Sequence, residues 1–386
     1  MARQFVRRLV IFATPIIIAL CALFGMGLYL GDALPESVVV QLQDRSETVI
    51  YGGIDFGSMY HLKVLGANHY HPRLLIIGSS RVHTMGTFIV DDTADLYNAW
   101  LPGMNPGHAI HLMRSLDAEA LPETIIWAID HRFFSPQTEL GTPPQNAADL
   151  DFQHMLKRTI IAGITLSRLI VTRSPLLQNV RSQTEPSSGF AAIGIDAQQG
   201  RTSLLARGAA FIGQSSIESY YAKLPEVRIN EAGTAQFVPG DRVDETKLAV
   251  IHETLSFAQE HGIAVIGYLP AYSPLSYSQL RDNADYRYLS QIESVVAPIF
   301  RSYGFQFYDL TDPAQIPLSA DEFIDGVHLT PRANLKLYRH LLLLVPEELE
   351  QFSSLDRLNQ FLNSTQDPFL LDYYRSFSAV SSTASE

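Results

Sequence analysis

Between Leu74 and Ile77 the chain carries four consecutive large apolar residues, and Gly78, Ser79 and Ser80 follow at once. A strand with one wet face alternates apolar and polar residues. An unbroken apolar run that stops at a turn signal marks a strand buried on both faces, as in a parallel sheet covered by helices. Further runs repeat the pattern at 124–130, 263–269 and 305–310, and the stretches 244–261 and 286–300 between them carry helical periodicity. This rhythm predicts a doubly wound, flavodoxin-like parallel α/β sheet. Open sheets of this kind bind ligands at the carboxyl ends of their strands, where Ser80 is expected. The plainer alternative makes the two serines caps of the next helix.

A second signature lies near the other end. Thr330 and Pro331 open a helix, a capping hydroxyl followed by proline at the first helical position, and Leu335, Leu337, Leu341 and Leu342 supply its apolar face. Asp325 and His328 fall on the loop before it. Their spacing lets a carboxylate hold an imidazole in the ring orientation and tautomer that a serine nucleophile needs.

Taken together, the two ends resemble the SGNH (GDSL-like) hydrolase superfamily. Its first block is a strand followed by Gly-Asp-Ser, here Gly78-Ser79-Ser80. Its last is Asp-x-x-His before the final helix, here Asp325-Gly326-Val327-His328. The resemblance implies Ser80 as nucleophile, His328 as general base and Asp325 as its orienter. The stretch from Asp95 to Gly103 looks like the second block, with Asn98 at a strand end. It implies that Gly103 offers its amide to an oxyanion beside the Ser80 amide, a geometry that often supplies the largest catalytic contribution. In the third block Asp130 stands in the position of the oxyanion asparagine, and a carboxylate donates a hydrogen bond only when protonated.

Three further residues are expected at the substrate. Arg81, on a helix beginning near Ser80, is expected at the pocket mouth to hold a carboxylate-bearing sugar. Asn98 and Tyr272 are expected to line the pocket. A strand ending in Asp-x-x-Phe, followed by a long insertion, is similar to a membrane-anchored branch of the superfamily tied to alginate O-acetylation and to D-alanine transfer onto teichoic acids. The resemblance covers residues 70–135 and 245–345. It implies a serine esterase or O-acetyltransferase acting on a cell-surface or secreted glycan, with a multi-pass membrane acyltransferase as a partner and no metal or cofactor. The competing expectation is a non-enzymatic glycan-binding or scaffold subunit on the same fold.

Location follows from the first residues. Arg3, Arg7 and Arg8 precede an uncharged apolar stretch from Leu9 to Leu30, and about twenty such residues span a bilayer. The basic flank predicts a cytoplasmic amino terminus with the rest of the chain on the periplasmic or extracellular side. Cys21, the single cysteine, lies inside this stretch, so the remainder has neither disulfide nor thiol nucleophile. A net charge of −12 argues against nucleic acid as a partner. The expected divisions are an anchor (1–30), a membrane-proximal linker (31–69) and the α/β domain (70–350). The domain carries a helical and loop insertion at 136–243, and a polar tail (351–386) follows it. Within the linker, 37–42 reads as an edge strand.

Overall fold

In the computed structural model, which describes residues 2–30, 56–138 and 237–370 and scattered positions outside them, the first apolar run is strand β1 (Leu74–Ile77), with every residue buried. It pairs in parallel with β2 (Leu96–Asn98) on one side and with β3 (Thr124–Ala128) on the other. Within the span expected as an insertion, β4 (Ser203–Ala206) and β5 (Ala209–Ile212) make a separate antiparallel pair. Strands β6 (Ala264–Leu269) and β7 (Gln306–Asp309) complete the main sheet, whose order is β2-β1-β3-β6-β7, all parallel. Counting only these five strands the order is 2-1-3-4-5, a common doubly wound arrangement with its switch point between β1 and β3.

Alternation along β1 builds the two layers. Leu74 and Ile76 join Ile126 and Ile266 in one core; Leu75 and Ile77 join Ile125, Trp127 and Val265 in the other. Burying a Leu or Ile side chain contributes about 1.5–3 kcal/mol, whereas an exposed ion pair contributes about 0–1. The four residues of β1 therefore outweigh surface pairs such as Arg114–Glu253, both of whose side chains are about half exposed.

The helices begin where local chemistry dictates. Helix α1 (Ala2–Leu30) is long and apolar enough over Arg3–Gly25 to cross a membrane, and a signal sequence would meet the same criteria. Helix α2 (Phe56–Tyr70) buries Tyr60, Leu62, Val64 and Ala67, so packed structure begins inside the span expected as linker. Gly66 lies in this helix because a Cβ there would stand 1.9 Å from the hydroxyl of the fully buried Tyr97. Helix α3 (Pro106–Arg114) starts with Asn105 and His108 in a reciprocal capping box. Helix α4 (Leu248–Glu260) packs beside it and buries Ile251 and Leu255.

Helix α5 (Pro274–Arg281), capped by Ser273, follows β6. Three expectations are corrected here. Helix α6 (Ile292–Ser302) begins later than residue 286. The residues before it turn aside because the Tyr286 and Tyr288 hydroxyls donate to the carbonyls of Phe237 and Val238 and so hold the chain returning from the insertion. After α7 (Pro331–Leu344) the expected polar tail contains α8 (Leu355–Ser364), which buries Leu358; Arg357 there donates to the carbonyl of Phe88. Ser37, Val40 and Gln41 are helical, so the expected edge strand is not formed there. Of the span 150–171, where a helix is expected, Ile160, Ile164 and Val171 are helical; its other residues and those beyond 373 lie outside the described residues.

Candidate active site

The turn after β1 is tight because Gly78 has no side chain: a Cβ there would meet Ala128 and Val82 at 2.9 Å. Ser79 then caps a single 3₁₀ turn (Ser80–Val82), its Oγ accepting from the Arg81 amide. Ser80 is the first residue of that turn, at the carboxyl end of β1 and beside the switch point.

The loop before α7 reaches the same place. Asp325 Oδ1 accepts from the amides of Val327 and His328 at 2.8 and 2.9 Å, which folds the loop back on itself. Asp325 Oδ2 lies 2.6 Å from His328 Nδ1, and His328 Nε2 lies 2.8 Å from Ser80 Oγ. Nδ1 facing a carboxylate carries the proton, leaving Nε2 to accept from the serine hydroxyl. The structure thus brings Ser80, His328 and Asp325 into one relay across 248 residues of sequence.

Several interactions outside the relay hold this loop. Ile324 donates to the His328 carbonyl and Ser273 to that of Gly326. Thr84 Oγ1 donates to Leu329 and accepts from Asn334 Nδ2, with both side chains fully buried. His83, two residues beyond Arg81, bonds the Ser80 carbonyl through Nδ1 and sets its ring edge-on to His328, 5.5 Å between centroids. Burial, with the charge of His328 adding to it, pushes the His83 pKa down to about 3. Lys63, wholly buried behind this group, donates to the Asn98 carbonyl and lies over the Trp100 ring. Burial lowers its pKa well below the usual range. Sequence reading gave Lys63, His83, Thr84 and Asn334 no place at the site.

Burial pushes the Asp325 carboxyl up, but the His328 side chain and then the two backbone amides outweigh it and hold its pKa at about 2, below the ordinary 3.8. A carboxyl depressed by folding adds stability above its ordinary pKa and loses it as pH falls through the folded one. The stability gap between wild type and Asp325→Asn is expected to stay level above about pH 5 and to shrink as pH falls from 3.8 towards 2. Urea midpoints read from Trp100 and Trp127, the two tryptophans, measure it. A gap independent of pH would contradict this account of the carboxylate.

The expected substrate residues divide. Arg81 is not at a pocket mouth. The 3₁₀ turn directs its side chain inward, where it is 4% exposed. Its guanidinium donates to the carbonyls of Pro270 (2.9 Å), Ala271 (2.5 Å) and Val327 (3.3 Å) and covers the Tyr272 ring. Asn98 does not face substrate either. It is fully buried, its amide donates to Val82 and Met85, and its carbonyl accepts from Trp100. Tyr272 is buried against His131 yet borders a cavity of about 550 Å³ at the ends of β6 and β7, walled also by Tyr277, Tyr286, Asp309 and Arg287.

Gly103 is exposed at φ +67°, a left-handed conformation that suits glycine. Among the described residues neither its amide nor that of Ser80 donates within the protein. Asp130 is no oxyanion donor. Its Oδ1 accepts the Ser79 hydroxyl at 2.9 Å and its Oδ2 lies 3.5 Å from Arg132 Nε. The two departures from the block pattern, Ser79 and Asp130, therefore touch and satisfy each other. Among the described residues no group of three or more His, Cys, Asp or Glu side chains is placed to hold a metal ion. No protein-family model matches the sequence, and no curated protein matches it.

Proposed function

We propose that this chain is a membrane-anchored serine O-acyl esterase or O-acetyltransferase of the SGNH type, acting outside the cytoplasm on a cell-surface or secreted polysaccharide. The observation that carries the proposal is the hydrogen-bonded relay from Ser80 through His328 to Asp325 at the carboxyl edge of a parallel sheet. In this reading Ser80 Oγ bonds to the acyl carbon as its proton passes to His328 Nε2, and the carbonyl electron pair moves onto oxygen. The intermediate collapses to an acyl-serine, and the departing alkoxide takes the proton from His328. Water or a sugar hydroxyl then reverses the steps. Asp325 stabilises the imidazolium that forms in between.

The cavity beside Tyr272, whose walls include none of Ser80, His328 and Asp325, carries tyrosine rings with carboxylate, hydroxyl and guanidinium groups that suit a hydroxyl-rich ligand at the same edge of the sheet. Helix α1 would hold the chain on the bilayer through residues 9–30, beside a multi-pass acyltransferase that supplies the acyl group. The test uses the full chain in detergent with 4-nitrophenyl acetate. Release of 4-nitrophenol is expected in wild type and not in Ser80→Ala. Acceleration by an added oligosaccharide would assign transfer over hydrolysis. One observation favours a second reading, a non-catalytic glycan-binding or scaffold subunit: the acceptor carboxylate of Asp130 stands where the resemblance implies a donor.

A further inference from the structure

The backbone around Ser80 is fastened on both sides. On the amino side Ser79 does this, its Oγ accepting from the Arg81 amide and donating to Asp130 Oδ1 at 2.9 Å. On the carboxyl side the fastening falls to His83. The Ser80 carbonyl accepts from the His83 amide at 3.3 Å and again from His83 Nδ1. The first of these bonds is long, and one 3₁₀ turn closed by such a bond is a weak device for fixing a nucleophile. The second donor occupies the other lone pair of the same oxygen, and because a carbonyl only accepts, Nδ1 carries the proton. His83 is itself held. Asn98 Nδ2 donates to the carbonyls of Val82, the residue before His83, and of Met85, the second after it. The imidazole ring stands edge-on to His328 and also, 5.6 Å between centroids, to the buried Trp100. One side chain thus touches the backbone of the nucleophile and the ring of the base.

We infer that His83 is a positioning residue: its Nδ1–H, bonded to the Ser80 carbonyl, holds the nucleophile turn in the setting that places Oγ 2.8 Å from His328 Nε2. The inference rests on the proposed serine mechanism. It accounts for three features together. The Ser80 carbonyl takes two bonds from one residue because rotation of the peptide after Ser80 would swing Oγ off the base, and about 1 Å of misplacement costs about 100-fold in rate. Asn98 is fully buried because its amide is spent on the two carbonyls that flank His83. The ring is uncharged: the ionisable groups acting on it are His328, Asp325 and Lys63, and burial, then the charge of His328, push its pKa down to about 3. A cation there would oppose the imidazolium that forms when His328 takes the Ser80 proton, whereas the neutral ring donates its one bond without that cost.

The experiment compares full-length wild type, Ser80→Ala, His83→Asn and His83→Leu in detergent. It reads kcat and KM for 4-nitrophenyl acetate across pH, the rate of Ser80 phosphonylation by a fluorophosphonate, and the urea midpoint. Asparagine carries Nδ2 on the carbon that bears Nδ1 in histidine, so it donates to the same carbonyl. Leucine has nearly the shape of asparagine and no donor. His83→Leu is expected to lower kcat and the phosphonylation rate together by about 10- to 100-fold, the scale of a misplaced reacting atom, with KM unchanged. His83→Asn is expected to recover most of that loss. The acid limb of the kcat profile, which reports His328, should keep its midpoint in both variants, because neither removes a charge. Should His83→Leu not fold, His83→Gln, whose amide sits one carbon too far out, replaces it with the same expected loss. Unchanged kcat in the variant without the donor overturns the inference. So do equal losses in it and in His83→Asn, which would assign the effect to the ring. An acid limb displaced in both variants makes His83 a titrating partner of the base and also overturns it. Wild type no more reactive than Ser80→Ala overturns the serine mechanism itself, an outcome distinct from the other three.

Discussion

Replacing His328 with alanine is expected to lower the turnover of an activated ester by about 10⁴- to 10⁶-fold, the range found when one member of a nucleophile–base pair is removed. Among the described residues nothing else near Ser80 is arranged to take its proton. His83, the nearest other imidazole, commits Nδ1 to the Ser80 carbonyl and presents only its edge to His328. Stability should fall as well, because the ring is the foremost partner of the buried Asp325 carboxylate, although the loop keeps its backbone and buried side-chain bonds on either side. Asp325→Asn is expected to have a smaller but still large effect. An amide keeps one acceptor for the Val327 and His328 amides, yet its other atom favours the wrong imidazole tautomer. Steady-state kinetics with urea midpoints measured alongside separate the two effects. A His328→Ala chain within tenfold of wild type would remove the general base from the mechanism.

Arg81→Met is expected to produce the largest loss of stability among the residues around the site, roughly 3–5 kcal/mol at 1–2 kcal/mol for each buried carbonyl left without a donor. Domains of this kind are stable by only about 5–15 kcal/mol, so the loss is a large fraction. Three carbonyls are affected: Pro270 and Ala271 after β6, and Val327 beside the base. Burying a guanidinium costs desolvation, and the methionine avoids that cost, which is why the expected figure is not higher. Arg81→Lys should rescue little, since a single ammonium cannot reproduce the planar fork that spans all three oxygens. Because Val327 precedes His328, the variant should lose turnover as well, even below its unfolding midpoint. Tryptophan fluorescence in urea gives the midpoint, and a value equal to wild type would show that the loops are held without Arg81.

What could be read from the sequence follows from how local each signal is. The strand at 74–77 was legible because no exposed or half-exposed strand carries four large apolar residues in a row. Helix α7 was legible because Thr330 and Pro331 fix its first turn. The Asp325–His328 pair was legible because its geometry is set within four residues. Helix α8 was hidden by its composition: Leu355, Leu358, Phe361 and Leu362 have helical spacing but stand among serines and asparagines. Arg81 and Asn98 were identified as residues close to the nucleophile but assigned the wrong direction. A polar residue beside a nucleophile reads alike whether it faces solvent or interior, and only the 3₁₀ turn in place of a helix decides it. The contact of Asp130 with Ser79 was missed because it depends on the parallel pairing of 74–77 with 124–127.

The central claim is that Ser80 is a nucleophile activated by His328. The most direct measurement treats the full-length chain in detergent with a fluorophosphonate and locates any adduct by peptide mass spectrometry, with Ser80→Ala and His328→Ala alongside. The account predicts one adduct, on Ser80 in the wild type, absent from Ser80→Ala and formed only slowly in His328→Ala. A folded wild type that takes up no adduct, or an adduct that persists in Ser80→Ala, would contradict it.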